Sequence, residues 1–168
     1  MSKVFVINGH NQAGKDTFVE MIKNIAAKDE KDIINYSTVD FVKRVATFCG
    51  WDGIKNDKNR AFLCQLKDIL TEWNDIPFRK CREIIDHGRA AAIFIHCREP
   101  KEIQKIVDYC GAKTILVQRD NVDVCSSNHA DLEVENYNYN IIINNNSGLD
   151  VLWDKAENFY DNYIKQNS

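Results

Sequence analysis

Proline is nearly missing from this chain, whose 168 residues hold only Pro77 and Pro100. Helix interiors are therefore left unbroken, and each proline suits the first turn of a helix. No apolar run approaches the roughly 20 residues that a bilayer-spanning helix needs, which excludes such a helix. An excess of basic charge is also lacking. The net charge of −3 and pI near 5.8 argue against the basic surface of a nucleic-acid-binding domain. The six cysteines (Cys49, Cys64, Cys81, Cys97, Cys110, Cys125) include no CxxC pair. A zinc site lacks the ligand spacing it requires. The first strand begins so close to Met1 that no signal peptide is expected. The thiols then read as reduced, in a cytoplasmic protein.

What is present is a chain of one-domain length, 44% hydrophobic and 28% charged, enough to bury a full core. Residues 3–17 read KVFVINGHNQAGKDT. Val4, Phe5, Val6 and Ile7 are β-branched or aromatic and suit a buried parallel strand. Gly9 and Gly14 then stand at the spacing GxxxxGK. Without Cβ atoms they let the backbone curl and turn successive N–H groups inward as an anion cradle. Phe18, Met21, Ile22 and Ile25 recur at helical spacing, so a helix from Lys15 adds its positive end. Gly9, Asn11, Gln12, Ala13, Gly14, Lys15, Asp16 and Thr17 are the candidate phosphate-binding residues, with Lys15 reaching the β- and γ-phosphates. Asp16 stands where most such loops place Ser or Thr for Mg²⁺. It is either a metal ligand or an N-terminal helix carboxylate. His10 is expected to face solvent.

Strands are expected at about 3–8, 32–37, 91–97, 113–118 and 139–145. Helices are expected at about 15–28, 39–48, 60–73, 77–87, 100–109 and 149–164. In the helix over 60–73, Phe62, Leu63, Leu66, Ile69, Leu70 and Trp73 recur at helical spacing. The alternation of strand and helix implies a single α/β domain over 1–168, a parallel sheet with helices on both faces. Ligands in such sheets bind outside the carboxyl ends of the strands. The polar stretch 120–138 lacks periodicity and is long for a plain loop, which suggests a lid over the active site.

The chain resembles the nucleoside monophosphate kinase group of P-loop kinases. More narrowly, it is similar to phage-type deoxynucleoside monophosphate kinases and their phosphomevalonate kinase relatives. The likeness is carried by GKDT at 14–17, YSTVDFVK at 36–43, HCREP at 96–100, LVQR at 116–119 and NYNYNIIINNNSGLDVL at 136–152. It implies a P-loop NTPase fold, a three-layer α/β/α arrangement with a five-stranded parallel sheet and a lid.

The resemblance also implies transfer of the γ-phosphate of ATP, with Mg²⁺, to a (deoxy)nucleoside monophosphate. Phosphomevalonate or dephospho-coenzyme A as acceptor is an alternative, as is a regulatory nucleotide-binding protein with weak or no catalysis. Lys15, Arg98, Arg119 and Asp40 are then the candidate catalytic residues, and Asp16 the candidate metal ligand. Tyr36, Ser37, Asp40, Lys43, Arg60 and Arg98 form the candidate acceptor pocket, since guanidinium forks grip phosphate. Asn144 and Asn145 fall in the adenine region. The expected partners are ATP and a phosphorylated small molecule, with neither nucleic acid nor membrane, in a monomer or homodimer. His96 departs from the family, which commonly places an Asp there to orient Mg²⁺ through water.

Overall fold

In the computed structural model, the described residues are 2–54, 56–120 and 134–165. Five strands, β1 (Lys3–Asn8), β2 (Ile33–Ser37), β3 (Ala92–His96), β4 (Lys113–Gln118) and β5 (Ile141–Asn144), form one sheet in the order β2-β3-β1-β4-β5. Every pairing is parallel, with Val6 opposite Ile95 on one side and Thr114 on the other. β1 is therefore central, and the chain passes to opposite sides of it through β3 and β4. That reversal opens a crevice at the carboxyl edge, where β1 runs into the glycine loop.

The alternation of side chains along β1 divides the core in two. Phe5 and Ile7 face helices α1 (Lys15–Lys28) and α6 (Leu149–Tyr160), in a cluster with Phe18, Ile22, Phe94, Leu152 and Phe159. Phe5 stacks on Phe94 at 5.1 Å and meets Phe159 edge-on at the same separation. Val6 faces the other layer, α4 (Ile76–His87) and α5 (Pro100–Cys110), with Ile93, Ile95, Cys81, Cys97, Ile103 and Ile106. Burying each such Ile or Phe stabilises the fold by about 1.5–3 kcal/mol.

Helix boundaries follow local chemistry. Pro77 and Pro100 lie in the first turns of α4 and α5. Gly111 closes α5 in the left-handed region, φ 66°. α2 (Asp40–Phe48) leads to α3 (Asp57–Asn74), which starts earlier than periodicity suggests because the Asn56 side chain accepts the Asn59 N–H as an N-cap. None of the residues of α3 is fully buried, and Leu63, Leu66 and Leu70 are half-buried. α6 ends at Tyr160 in a π-helical turn, Asp161–Lys165. Of the stretch expected to be a lid, residues 121–133 lie outside the described residues.

Candidate functional site

The turn after β1 is held from three sides. Asn8, fully buried at the strand's end, accepts the Gly9 N–H at 2.8 Å. Gly9 has φ 149° and lies so close to β4 that a Cβ there would sit 2.3 Å from the Val117 carbonyl oxygen. Gly14 has φ 98°, and a Cβ there would meet Asn145 Nδ2 at 2.4 Å. Any side chain at either glycine would collide with a neighbouring strand or the loop after it.

Gly14 is the N-cap of α1 and carries no side-chain cap, so the first-turn N–H groups of the helix are left for an anion. Lys15 is buried, and its Nζ donates to the Gly9 and His10 carbonyls at 2.6 and 2.7 Å. The ammonium thus arches back over the loop instead of extending into solvent. Loop N–H groups, helix end and lysine together make a cradle for a polyanion.

A side-chain network joins this cradle to its surroundings. Asn8 Nδ2 donates to the Arg98 carbonyl at 3.1 Å and to the Tyr139 hydroxyl at 2.6 Å. Tyr139 in turn donates to the Val134 carbonyl at 2.7 Å. One asparagine therefore couples the glycine loop, the segment after β3 and the segment before β5. Sequence reading missed it; the available signal was a polar residue ending an apolar strand directly before Gly9.

On the opposite side, Asn145 Nδ2 donates to the Ala13 carbonyl at 2.9 Å. Its amide is the back wall of the glycine loop. The Asn144 carbonyl accepts from Lys155 Nζ. Asn146 and Asp120 clip the turns after β5 and β4, through Asp120 N–H to Asn146 Oδ1 and Asn146 Nδ2 to Asp120 Oδ2, both 2.8 Å.

His96 ends β3 beside the cradle. Its Nε2 lies 2.8 Å from Asn35 Oδ1 and 3.7 Å from Asp16 Oδ1. An Asn35 oxygen as partner calls for the tautomer protonated on Nε2. Burial holds the imidazole below the usual histidine range, and the Lys15 and Arg98 charges push the same way against Asp16 and Asp40. His96 is thus neutral near pH 7. Asp16 extends into solvent, its side chain 90% exposed. His10 corrects an expectation. Its side chain is only 15% exposed, with Nε2 3.4 Å from Glu135 Oε1, because residues after 133 fold back over the loop.

The residues read as an acceptor pocket divide into groups. Asp40 Oδ2 accepts the Ser37 N–H at 2.8 Å, and Asp40 Oδ1 lies 3.6 Å from Lys43 Nζ. Tyr36 packs against the α4–α5 core with a buried hydroxyl that has no hydrogen-bond partner among the described residues. Burial pushes that phenol up to about 12. Arg98 is half-buried at the sheet's carboxyl edge and its charge is felt by His96. Arg119 is exposed just beyond β4, and Arg60 is exposed in the first turn of α3. Asn11, Gln12 and Thr17 are exposed around the cradle, and Ala13 is buried beneath it. Gln12 takes φ 61°, which helps close the loop.

No family model and no curated protein matches the chain. Among solved structures, a protein of Chloroflexus aurantiacus described as a candidate kinase is similar with a TM-score of 0.56 and 10% identity, over 99% of this chain and 98% of that one. The APS kinase CysC of Mycobacterium tuberculosis is similar at a TM-score of 0.45 and 13% identity, over 95% of each chain. FlhF complexed with GMPPNP and Mg²⁺ gives 0.40 and 16%, over 92% of this chain and 61% of that one. At such identities the likeness is one of fold. The five-stranded parallel sheet between helical layers, with a glycine loop and Lys15 after its central strand, is a three-layer α/β/α fold of the P-loop NTPase kind.

Proposed function

We propose that the chain is an ATP-dependent small-molecule kinase that transfers the γ-phosphate to a phosphorylated acceptor, with a (deoxy)nucleoside monophosphate as the leading candidate. The observation that carries this reading is Lys15, buried and folded over a glycine loop at the carboxyl edge of the sheet. Arg98 leaves the neighbouring strand beside it, its backbone tied to the same Asn8.

The residues fit the triphosphate of ATP, since the two glycines leave a cradle that a Cβ would fill and the α1 end is uncapped. They also fit Mg²⁺. That ion needs only one or two protein carboxylates when phosphates and water complete its shell, and Asp16 offers an exposed one. Bound ATP and Mg²⁺ would supply the transferable phosphoryl group and neutralise part of its charge. The chain's own part is positioning and electrostatic stabilisation. Loop N–H groups fix the donor phosphates, and the Lys15 ammonium moves from the Gly9 and His10 carbonyls onto them. Arg98 grips the acceptor's phosphate, and Arg119 approaches the donor from β4. Lys43 and Arg60 add positive charge on the acceptor side, while Asp40 orients the acceptor or approaches the metal. Tyr36 and Ser37 line that side, and Asn144 and Asn145 border the adenine.

One observation favours a second reading, a nucleotide-binding regulatory protein. His96 is a neutral imidazole engaged with Asn35, and it cannot serve as a carboxylate. A panel of nucleoside and deoxynucleoside monophosphates, with phosphomevalonate and dephospho-coenzyme A, is tested with ATP and Mg²⁺ for ADP formation. One acceptor should give ADP at a rate that Lys15→Ala lowers at least about a hundredfold. ATP binding without transfer to any acceptor selects the regulatory reading, and absence of ATP binding refutes both.

A further inference from the structure

α3 carries apolar side chains on two sides. A helix lying on a globular body turns its apolar stripe inward and its charges outward. Here Leu63, Leu66 and Leu70 are half-buried on the inward side together with Lys67, whose Nζ reaches Glu99 at 2.5 Å and Glu102 at 3.0 Å on the α5 side, yet three more apolar residues are left outside. At 100° per residue, Phe62, Ile69 and Trp73 lie on nearly the opposite side of the helix from Lys67. They are 37%, 61% and 74% exposed. The stripe is continued by Lys58, four residues before Phe62, and by Gln65 and Glu72. Among the described residues, neither Lys58 nor Glu72 takes an ion pair.

This order of residues is self-complementary. The stripe runs from a cation at Lys58, through apolar Phe62 and Ile69, to an anion at Glu72. Two copies laid antiparallel about a two-fold axis at Gln65 place Lys58 opposite Glu72 of the partner subunit, twice by symmetry. Phe62 then meets the neighbourhood of Ile69 of the partner subunit, and the helix dipoles oppose favourably. A parallel pairing would set Lys58 on Lys58 and Glu72 on Glu72. We propose that the outer face of α3 is the dimer interface of this protein, occupied by α3 of a second copy in antiparallel register. The inference is independent of the catalytic reading. A seam built mainly on one helix of 18 residues, about 27 Å long, makes a concentration-dependent dimer instead of a permanent one.

Sedimentation equilibrium on the full chain between about 1 and 200 µM tests this, a range that brackets a micromolar Kd. The apparent mass should rise from 19.4 kDa toward twice that value. Ile69→Glu with Trp73→Glu should stay monomeric throughout, with an unchanged circular dichroism spectrum because both side chains are exposed. Lys58→Glu alone and Glu72→Lys alone should each weaken association about tenfold, by replacing two attractions with two repulsions. The two reversals combined should restore the dimer to within about threefold of wild type, which only the antiparallel register provides. A monomer at every concentration overturns the proposal. So does a dimer indifferent to the Ile69 and Trp73 changes, or a combined reversal that fails to rescue.

Discussion

Replacing Asn8 with Ala should destabilise the whole protein and loosen the glycine loop together. The side chain is fully buried and makes three hydrogen bonds, to Gly9 N–H, the Arg98 carbonyl and the Tyr139 hydroxyl. The Gly9 bond is the buried one, so its orphaned N–H costs about 1–3 kcal/mol. The other two partners are partly accessible and lose about 0.5–1.5 kcal/mol each. The sum is about 2–6 kcal/mol against a typical stability of about 5–15. For a chain of this size that lowers Tm by about 10 °C. Asn8→Asp is the sharper probe. It keeps the volume and the acceptor for Gly9, but it turns an oxygen toward the Arg98 carbonyl and the Tyr139 oxygen. It should therefore fall near Asn8→Ala, whereas Tyr139→Phe should cost only about 1 kcal/mol. Urea unfolding with thermal melts measures all three, and a double-mutant cycle isolates the Asn8–Tyr139 coupling. Asn8→Asp within about 0.5 kcal/mol of wild type, or zero coupling, would refute this reasoning.

Gly14→Ala should abolish ATP binding measured by calorimetry while leaving a folded chain, because the new Cβ meets the Asn145 amide at 2.4 Å and φ 98° is strained for it. Unchanged affinity would show that the back wall yields freely. Arg98→Ala should reduce kcat/KM at least about a hundredfold yet keep ATP affinity measured without acceptor; an equal loss of ATP binding would move Arg98 to the donor side. Stability should fall as pH rises above about 9, where unfolded thiols ionise, because burial pushes Cys81 up to about 12 and also holds Cys97 well above the usual thiol range. The folded state then holds more protons than the unfolded one, so unfolding is favoured by alkali. Urea midpoints at pH 8, 9 and 10 should slope downward, less so in Cys81→Ala; identical slopes would exclude the thiol as the cause.

The parts legible in sequence are those fixed by neighbours in the chain. β1, the glycine loop and α1 follow one another within residues 3–28, so the cradle around Lys15 could be read from spacing alone. The alternation of apolar strands and helices likewise yields the parallel sheet. The site's connections escaped because they join residues far apart, Asn8 with Tyr139 and Ala13 with Asn145. A residue type gives no hint of such a partner. α3 shows a different limit. Its periodicity correctly marks a helix, but its apolar residues fall on two sides, and period alone does not say which side faces the body. Leu63, Leu66 and Leu70 turn inward with Lys67, which Glu99 and Glu102 hold, and Phe62, Ile69 and Trp73 are left outside.

The contact between Asn145 and Ala13 spans 132 residues of sequence, and Val117 closes against Gly9 from far along the chain as well. The loop after β1 is therefore walled by β4 and by the turn after β5, which come much later in the chain. As the chain leaves the ribosome, β1 and α1 emerge early with the local bonds of Asn8 and Lys15, but the walls at Val117 and Asn145 are missing until β4 and β5 have docked. An incomplete chain carries the glycine-loop motif without the shape the motif needs. Affinity for the proposed nucleotide should thus reach its full value late in synthesis, as a sign that β5 has taken its place beside β4.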